Sequence, residues 1–218
     1  RNTASFYPDS TLVRPAMRVY YARPQKRCEQ PINVDDVVVV PNFFCHESSL
    51  EAFQELVGEV ERLQGDAGSD VFEVPLCKRL VARLCKYLSI EEGGQALRLS
   101  FYGGAGSEQK PWVRERGKLG SRLPREANFI ATLSFGATRE LACRRPGTEE
   151  TVFFSLMNGA LAVFGRDACL RWDQGMNVHP QESNGERGHV LLSIAGVSAA
   201  VVKESALAEG PSDERLAR

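Results

Sequence analysis

Two spacings of apolar residues divide the chain. Between residues 48 and 88 they recur every third or fourth position, the period of an amphipathic helix; beyond residue 96 they alternate with small or polar side chains, the period of a strand. A first helix is predicted over residues 48–63, with Leu50, Phe53, Leu56, Val57 and Val60 on one face, Ser48 or Ser49 as its cap and Glu51 in its first turn. A second is predicted over residues 75–88. Leu76, Leu80, Val81, Leu84, Cys85 and Leu88 share one face there, and Lys78, Arg79, Arg83 and Lys86 cover the other as a solvated basic flank. Ahead of both, Val37-Val38-Val39-Val40 ends at Pro41-Asn42 and reads as a strand.

Further strands are predicted over residues 97–102, 128–135, 140–143, 151–156, 160–164, 169–172 and 190–202, separated by turn signals such as Arg145-Pro146-Gly147, Asn158-Gly159 and Asn184-Gly185. Helices followed by strands make an α+β domain with an antiparallel sandwich or barrel as its core. Residues 1–34, punctuated by Pro8, Pro15, Pro24 and Pro31, hold neither period and read as an extended arm, with a short strand at Val19-Tyr20-Tyr21. Residues 35–203 are then the domain, and 204–218 a polar tail.

Residues 128–145, NFIATLSFGATRELACRR, are the most informative stretch. They are predicted to form a β-hairpin that turns at Ala137-Thr138 and leaves along a basic strand through Arg139, Arg144 and Arg145. The phrase ATLSFGATRE resembles the central strand pair of the AlkB-like dioxygenases, Fe(II)/2-oxoglutarate enzymes that oxidise alkylated nucleobases. Over residues 37–202 the resemblance implies a double-stranded β-helix, or jelly-roll, core with N-terminal helices packed on it.

Such an enzyme holds iron with two imidazoles and a carboxylate on one face, and fixes the cosubstrate carboxylate with an arginine. Where the family has Asn-x-Tyr this chain has Ser100-Phe101-Tyr102, and after Pro111-Trp112 the expected His-x-Asp reads Val113-Arg114-Glu115. Downstream, Gly159-Ala160-Leu161-Ala162-Val163 matches, but Trp172-Asp173-Gln174-Gly175-Met176 puts Gln174 at the second histidine. The two arginines of the last strand correspond to His189 and Ala195. A site rebuilt by a register shift needs His179 and His189 to converge with Glu115 or Asp173, and Arg187 to reach the cosubstrate. Alone, His179 reads as a loop residue and His189 as a strand-start residue with a solvated ring. No other catalytic signature is present: the chain lacks G-x-S-x-G, a phosphate loop and H-E-x-x-H.

Charge changes the picture only locally. The net is −1, yet residues 78–145 hold 14 basic against 6 acidic side chains. Within them Lys110, Trp112, Arg114, Arg116, Lys118, Arg122 and Arg125 form a basic segment with one aromatic, suited to phosphates and a stacked base or to an acidic protein partner. The six cysteines are scattered without a C-x-x-C pair, which argues against a zinc ribbon or a disulfide scaffold and for reduced thiols. No apolar run approaches the ~20 residues of a membrane span, so no membrane partner is expected. The start at Arg1 reads as a processed or trimmed end, which makes a mitochondrial location the expectation, with cytoplasm or nucleus next and secretion excluded.

The function expected from these readings is that of a pseudoenzyme: an AlkB-like module with no catalytic residues, metal or cofactor, serving as a binding or scaffold subunit of a protein–RNA complex. Two alternatives stand beside it. One is an active dioxygenase with non-standard ligands; the other is a protein-interaction subunit that never touches nucleic acid.

Overall fold

The computed structural model describes residues 17–65, 73–90, 96–102, 110–113, 127–178 and 188–202. In chain order these form β1 (Arg18–Tyr21), β2 (Asp36–Val40), α1 (Glu51–Gly65), α2 (Pro75–Leu88), β3 (Ala96–Tyr102), β4 (Lys110–Val113) and β5 (Phe129–Gly136). β6 (Arg139–Arg144), β7 (Thr151–Leu156), β8 (Leu161–Gly165), α3 (Arg166–Arg171), β9 (Asp173–Val178) and β10 (His189–Gly196) follow. One sheet has six strands in the order β1-β2-β8-β5-β10-β3, the other four in the order β4-β9-β6-β7. Among the described strands only β1 and β2 pair in parallel. From β3 to β10 the chain shuttles between the sheets, a sheet-rich α+β arrangement compatible with a jelly roll.

Strand alternation sorts side chains onto two faces, and each face of the larger sheet meets a different partner. Val38, Val40, Ala131, Leu133, Phe135, Val163, Val190, Leu192 and Ile194 pack against Leu56 of α1 and Leu76, Leu80, Leu84 and Leu88 of α2. Val37, Val39, Ile130, Ala162, Phe164, Leu191 and Ala195 turn the other way and meet Leu141, Cys143, Phe154 and Leu156 of the smaller sheet. Strands β2 and β8 are thus buried on both faces, which is why Val37–Val40 and residues 161–164 are unbroken apolar runs.

Three expectations are corrected. The 128–145 hairpin does not form, because β5 belongs to the larger sheet and β6 to the smaller, with Gly136, Ala137 and Thr138 as the crossing. A two-residue hairpin turn wants positive φ at its centre. Here the positive φ, 90°, falls on Gly136, and a Cβ there would lie 2.4 Å from the Gly188 carbonyl oxygen, so the crossing depends on glycine. Residues 169–172, predicted as a strand, belong instead to α3 and the step after it; a short apolar run cannot distinguish the two, and the Asp167–Arg171 ion pair at 2.8 Å supports the helical turn. Residues 190–202 split into β10 and two isolated bridges. The first helix starts at Glu51, and the Ser48 hydroxyl lies 2.8 Å from the His46 Nδ1.

Buried polar side chains tie the non-local joints. Arg18 donates from Nε and Nη2 to the two carboxylate oxygens of fully buried Asp36, each at 2.8 Å, joining β1 to β2. The Asn158 amide donates to the Ser49 carbonyl at 2.6 Å and the Glu47 carbonyl at 3.0 Å, while its oxygen accepts from the Gly136 amide at 3.0 Å. One side chain thereby holds the chain before α1 against the β5 crossing. All six cysteines are thiols, with Cys77, Cys143 and Cys169 buried. Among the described residues no helix is long and apolar enough to cross a membrane.

Candidate functional site

The space between the two sheets is where the resemblance leads. In the larger sheet the strand register sets Ser100, Leu191 and Ser134 in one row, and Ser193 and Thr132 in the next row of the same face, the one turned toward the smaller sheet. The opposite face of β5 and β10 carries apolar side chains, so this polar band is specific to the interior. Thr132 and Ser193 share a hydroxyl–hydroxyl bond of 3.1 Å. The Ser134 hydroxyl is buried and has no hydrogen-bond partner among the described residues, a cost of about 1–3 kcal/mol for a protein that leaves it so.

Across from this band, the smaller sheet brings together two residues far apart in sequence. Val113 of β4 stands directly opposite Gln174 of β9, and Gln174 stands opposite Cys143 of β6. These are the two positions at which the resemblance expects imidazoles, and in the fold they are cross-strand neighbours. Their chemistry is an aliphatic group, a neutral amide and a thiol whose pKa burial pushes up to about 12, so none is an anionic or imidazole donor. Asp173 lies one residue from Gln174 and therefore on the other face of β9, where its carboxylate is 3.7 Å from Arg144 Nη2. Among the described residues no group of three or more His, Cys, Asp and Glu side chains is gathered as a metal site. These residues do not fit a two-histidine, one-carboxylate iron centre.

His189 corrects another expectation. Its ring is fully buried and not solvated. It begins β10 opposite Gly136 and Tyr102, and Nδ1 donates to the Ala137 carbonyl at 2.7 Å. Burial lowers its pKa to about 4; the charge of Arg139 lowers it further, and the carbonyl bond acts the other way. The imidazole is neutral at physiological pH and carries no charge for a cosubstrate carboxylate. Ala195, at the far end of β10, is buried against the aliphatic core opposite Ile130 and Ala96.

Ser134 and Arg139 stand out only in the folded chain. Arg139 is nearly fully buried and, by alternation with Leu141 and Cys143, sits on the inner face of β6. That alternation is legible in the sequence, but a strand rich in arginine reads as surface. Of the basic segment, Lys110 and Trp112 are in β4, one of the two edge strands of the smaller sheet. Arg114, Glu115, Arg116, Lys118, Arg122 and Arg125 lie outside the described residues, as do His179 and Arg187. His46 is exposed and lies beside Ser48, ahead of α1.

No protein-family model matches the chain. No curated protein matches it either. Among solved structures it is similar to a prolyl-4-hydroxylase of Pseudomonas putida, with 12% sequence identity, 72% of this chain and 86% of that chain covered, and a TM-score of 0.44.

Proposed function

We propose that the chain is a non-catalytic AlkB-like module, a double-stranded β-helix that lost its iron and cosubstrate positions and acts as a binding or scaffold subunit of a larger protein–RNA assembly. The interleaved orders β8-β5-β10-β3 and β4-β9-β6-β7 support the fold, since eight strands that shuttle in this way build a jelly roll. The observation that carries the function is the row Val113, Gln174, Cys143. A core kept for packing needs its strands but not its ligands, because function resides in the site and not in the fold.

The basic segment beginning with β4 is the surface offered to RNA, its Lys and Arg neutralising phosphates and Trp112 stacking on a base. Binding is expected to weaken steeply with salt and to fail on charge reversal of Arg114, Arg116 and Arg122. RNA binding indifferent to both would transfer this surface to a protein partner.

One observation favours a live dioxygenase as a second reading: a small polar ligand between the sheets would satisfy the Ser134 hydroxyl. Metal analysis and an oxoglutarate titration of native protein separate the two. The expected result is no stoichiometric iron and no oxoglutarate-dependent change in melting temperature. Iron at one per chain, or oxoglutarate binding that depends on His179, overturns the non-catalytic reading.

A further inference from the structure

The smaller sheet ends in β7, and among the described residues no strand pairs with its far side. The phase of that edge is set by the hydrogen bond from the Arg145 amide to the Glu150 carbonyl, 3.0 Å. In an antiparallel ladder bonded pairs recur at every second residue, so the amides and carbonyls of Val152, Phe154 and Leu156 point toward β6. Those of Thr151, Phe153 and Ser155 point outward. Among the described residues nothing protects this edge: no Lys, Pro or bulge interrupts Thr-Val-Phe-Phe-Ser-Leu. Phe153, at its centre, is 53% exposed.

We propose that this edge is filled by β7 of a second copy of the chain, antiparallel about a two-fold axis at Phe153. That axis pairs Phe153 with its own copy, Thr151 with Ser155, and Val152 with Phe154. Ring meets ring and hydroxyl meets hydroxyl on the outer face, and aliphatic meets aromatic on the inner face. Every outward amide and carbonyl of both strands then falls at a bonded position, and about six backbone hydrogen bonds close with none left over. A slip of one residue would set Phe153 against Phe154 and join an outer face to an inner one, so the side-chain pattern rejects it. The register sets no charged side chain against another; at each end Leu156 meets Glu150 of the other copy. Glu150, just beyond the strand, is held by Arg145 at 3.2 Å, which relieves repulsion between the two copies. The register is self-complementary in this way because the same sequence supplies both strands; the product is one continuous sheet across two chains, closed by the axis.

Sedimentation of the full chain from low micromolar to near-millimolar concentration tests this. The wild type is expected to move from the 24.1 kDa of one chain toward twice that mass. Two variants keep the test specific. F153K adds an edge charge, and S155P removes an outward N–H without touching a bond to β6. Each is expected to weaken association by about tenfold or more, with an unchanged circular dichroism spectrum. A wild type that stays at single-chain mass throughout overturns the assignment and leaves the edge to a strand of some other protein. A dimer that S155P and F153K leave intact overturns it as well, because the contact then lies elsewhere.

Discussion

The buried imidazole of His189 makes the stability of this protein depend on pH in a calculable way. Folded, the ring titrates at about 4; unfolded, it returns to the ordinary 6.5, because water replaces the core around it. Between those values the unfolded chain binds a proton that the folded chain refuses. Stability is therefore fullest above 6.5 and falls as pH drops toward 4. Each pH step of one between the two titration points costs about 1.4 kcal/mol, so lowering pH from 7 to about 4.5 removes about 2–3 kcal/mol through this residue alone. Urea denaturation at the two pH values, on wild type and on H189N, isolates the effect. The asparagine amide keeps a donor for the Ala137 carbonyl and cannot titrate, while every carboxylate behaves alike in both proteins. H189N is expected to be the less stable protein at pH 7, through the cavity it leaves, but to lose about 2–3 kcal/mol less than wild type on acidification. Equal losses in the two proteins would refute the reasoning, and would mean that the ring is hydrated or charged in the folded state.

Other consequences follow from single residues. Gly159 has φ of 74° and its missing Cβ would sit 2.3 Å from the Cys45 carbonyl oxygen, so G159A is expected to cost about 2–4 kcal/mol by thermal or urea melting. N158A strips the Gly136 amide and the Ser49 and Glu47 carbonyls of their partner, at about 2–4 kcal/mol, and N158D is expected to do no better because a carboxylate cannot donate. Asp36 is pushed up by burial but pulled further down by Arg18 and Asn33, so its carboxyl titrates below 3.8; the stability it contributes is present above that value and lost as pH falls through the lowered pKa. D36N should remove that acid slope and cost about 1–3 kcal/mol at neutral pH, measured by the same denaturation.

Local period made most of the elements legible. The α2 helix and β7 have the predicted bounds, β3 differs by one residue at its start, and β5, β6 and β8 differ by one residue at each end. The elements missed are those with weak periods: α3 carries an apolar run too short to distinguish, β4 opens a segment whose charge dominated its reading, and β9, Asp-Gln-Gly-Met-Asn-Val, falls in no predicted strand. In the candidate site the residue types at Val113 and Gln174 were plain from the sequence. The burial of His189 was not, because a histidine at a strand start looks the same whether water or a neighbouring carbonyl faces it.

The sequence by itself determined which residues alternate and which repeat at helical spacing, since those periods belong to the backbone and need no partner. Only the tertiary structure decided which strands pair. That choice sent β5 and β6 to different sheets, set Gln174 between Val113 and Cys143, and enclosed Arg139 and His189. Pairing is settled by the apolar area the whole chain can bury against the entropy of closing its loops, a balance that no short stretch such as residues 128–145 contains.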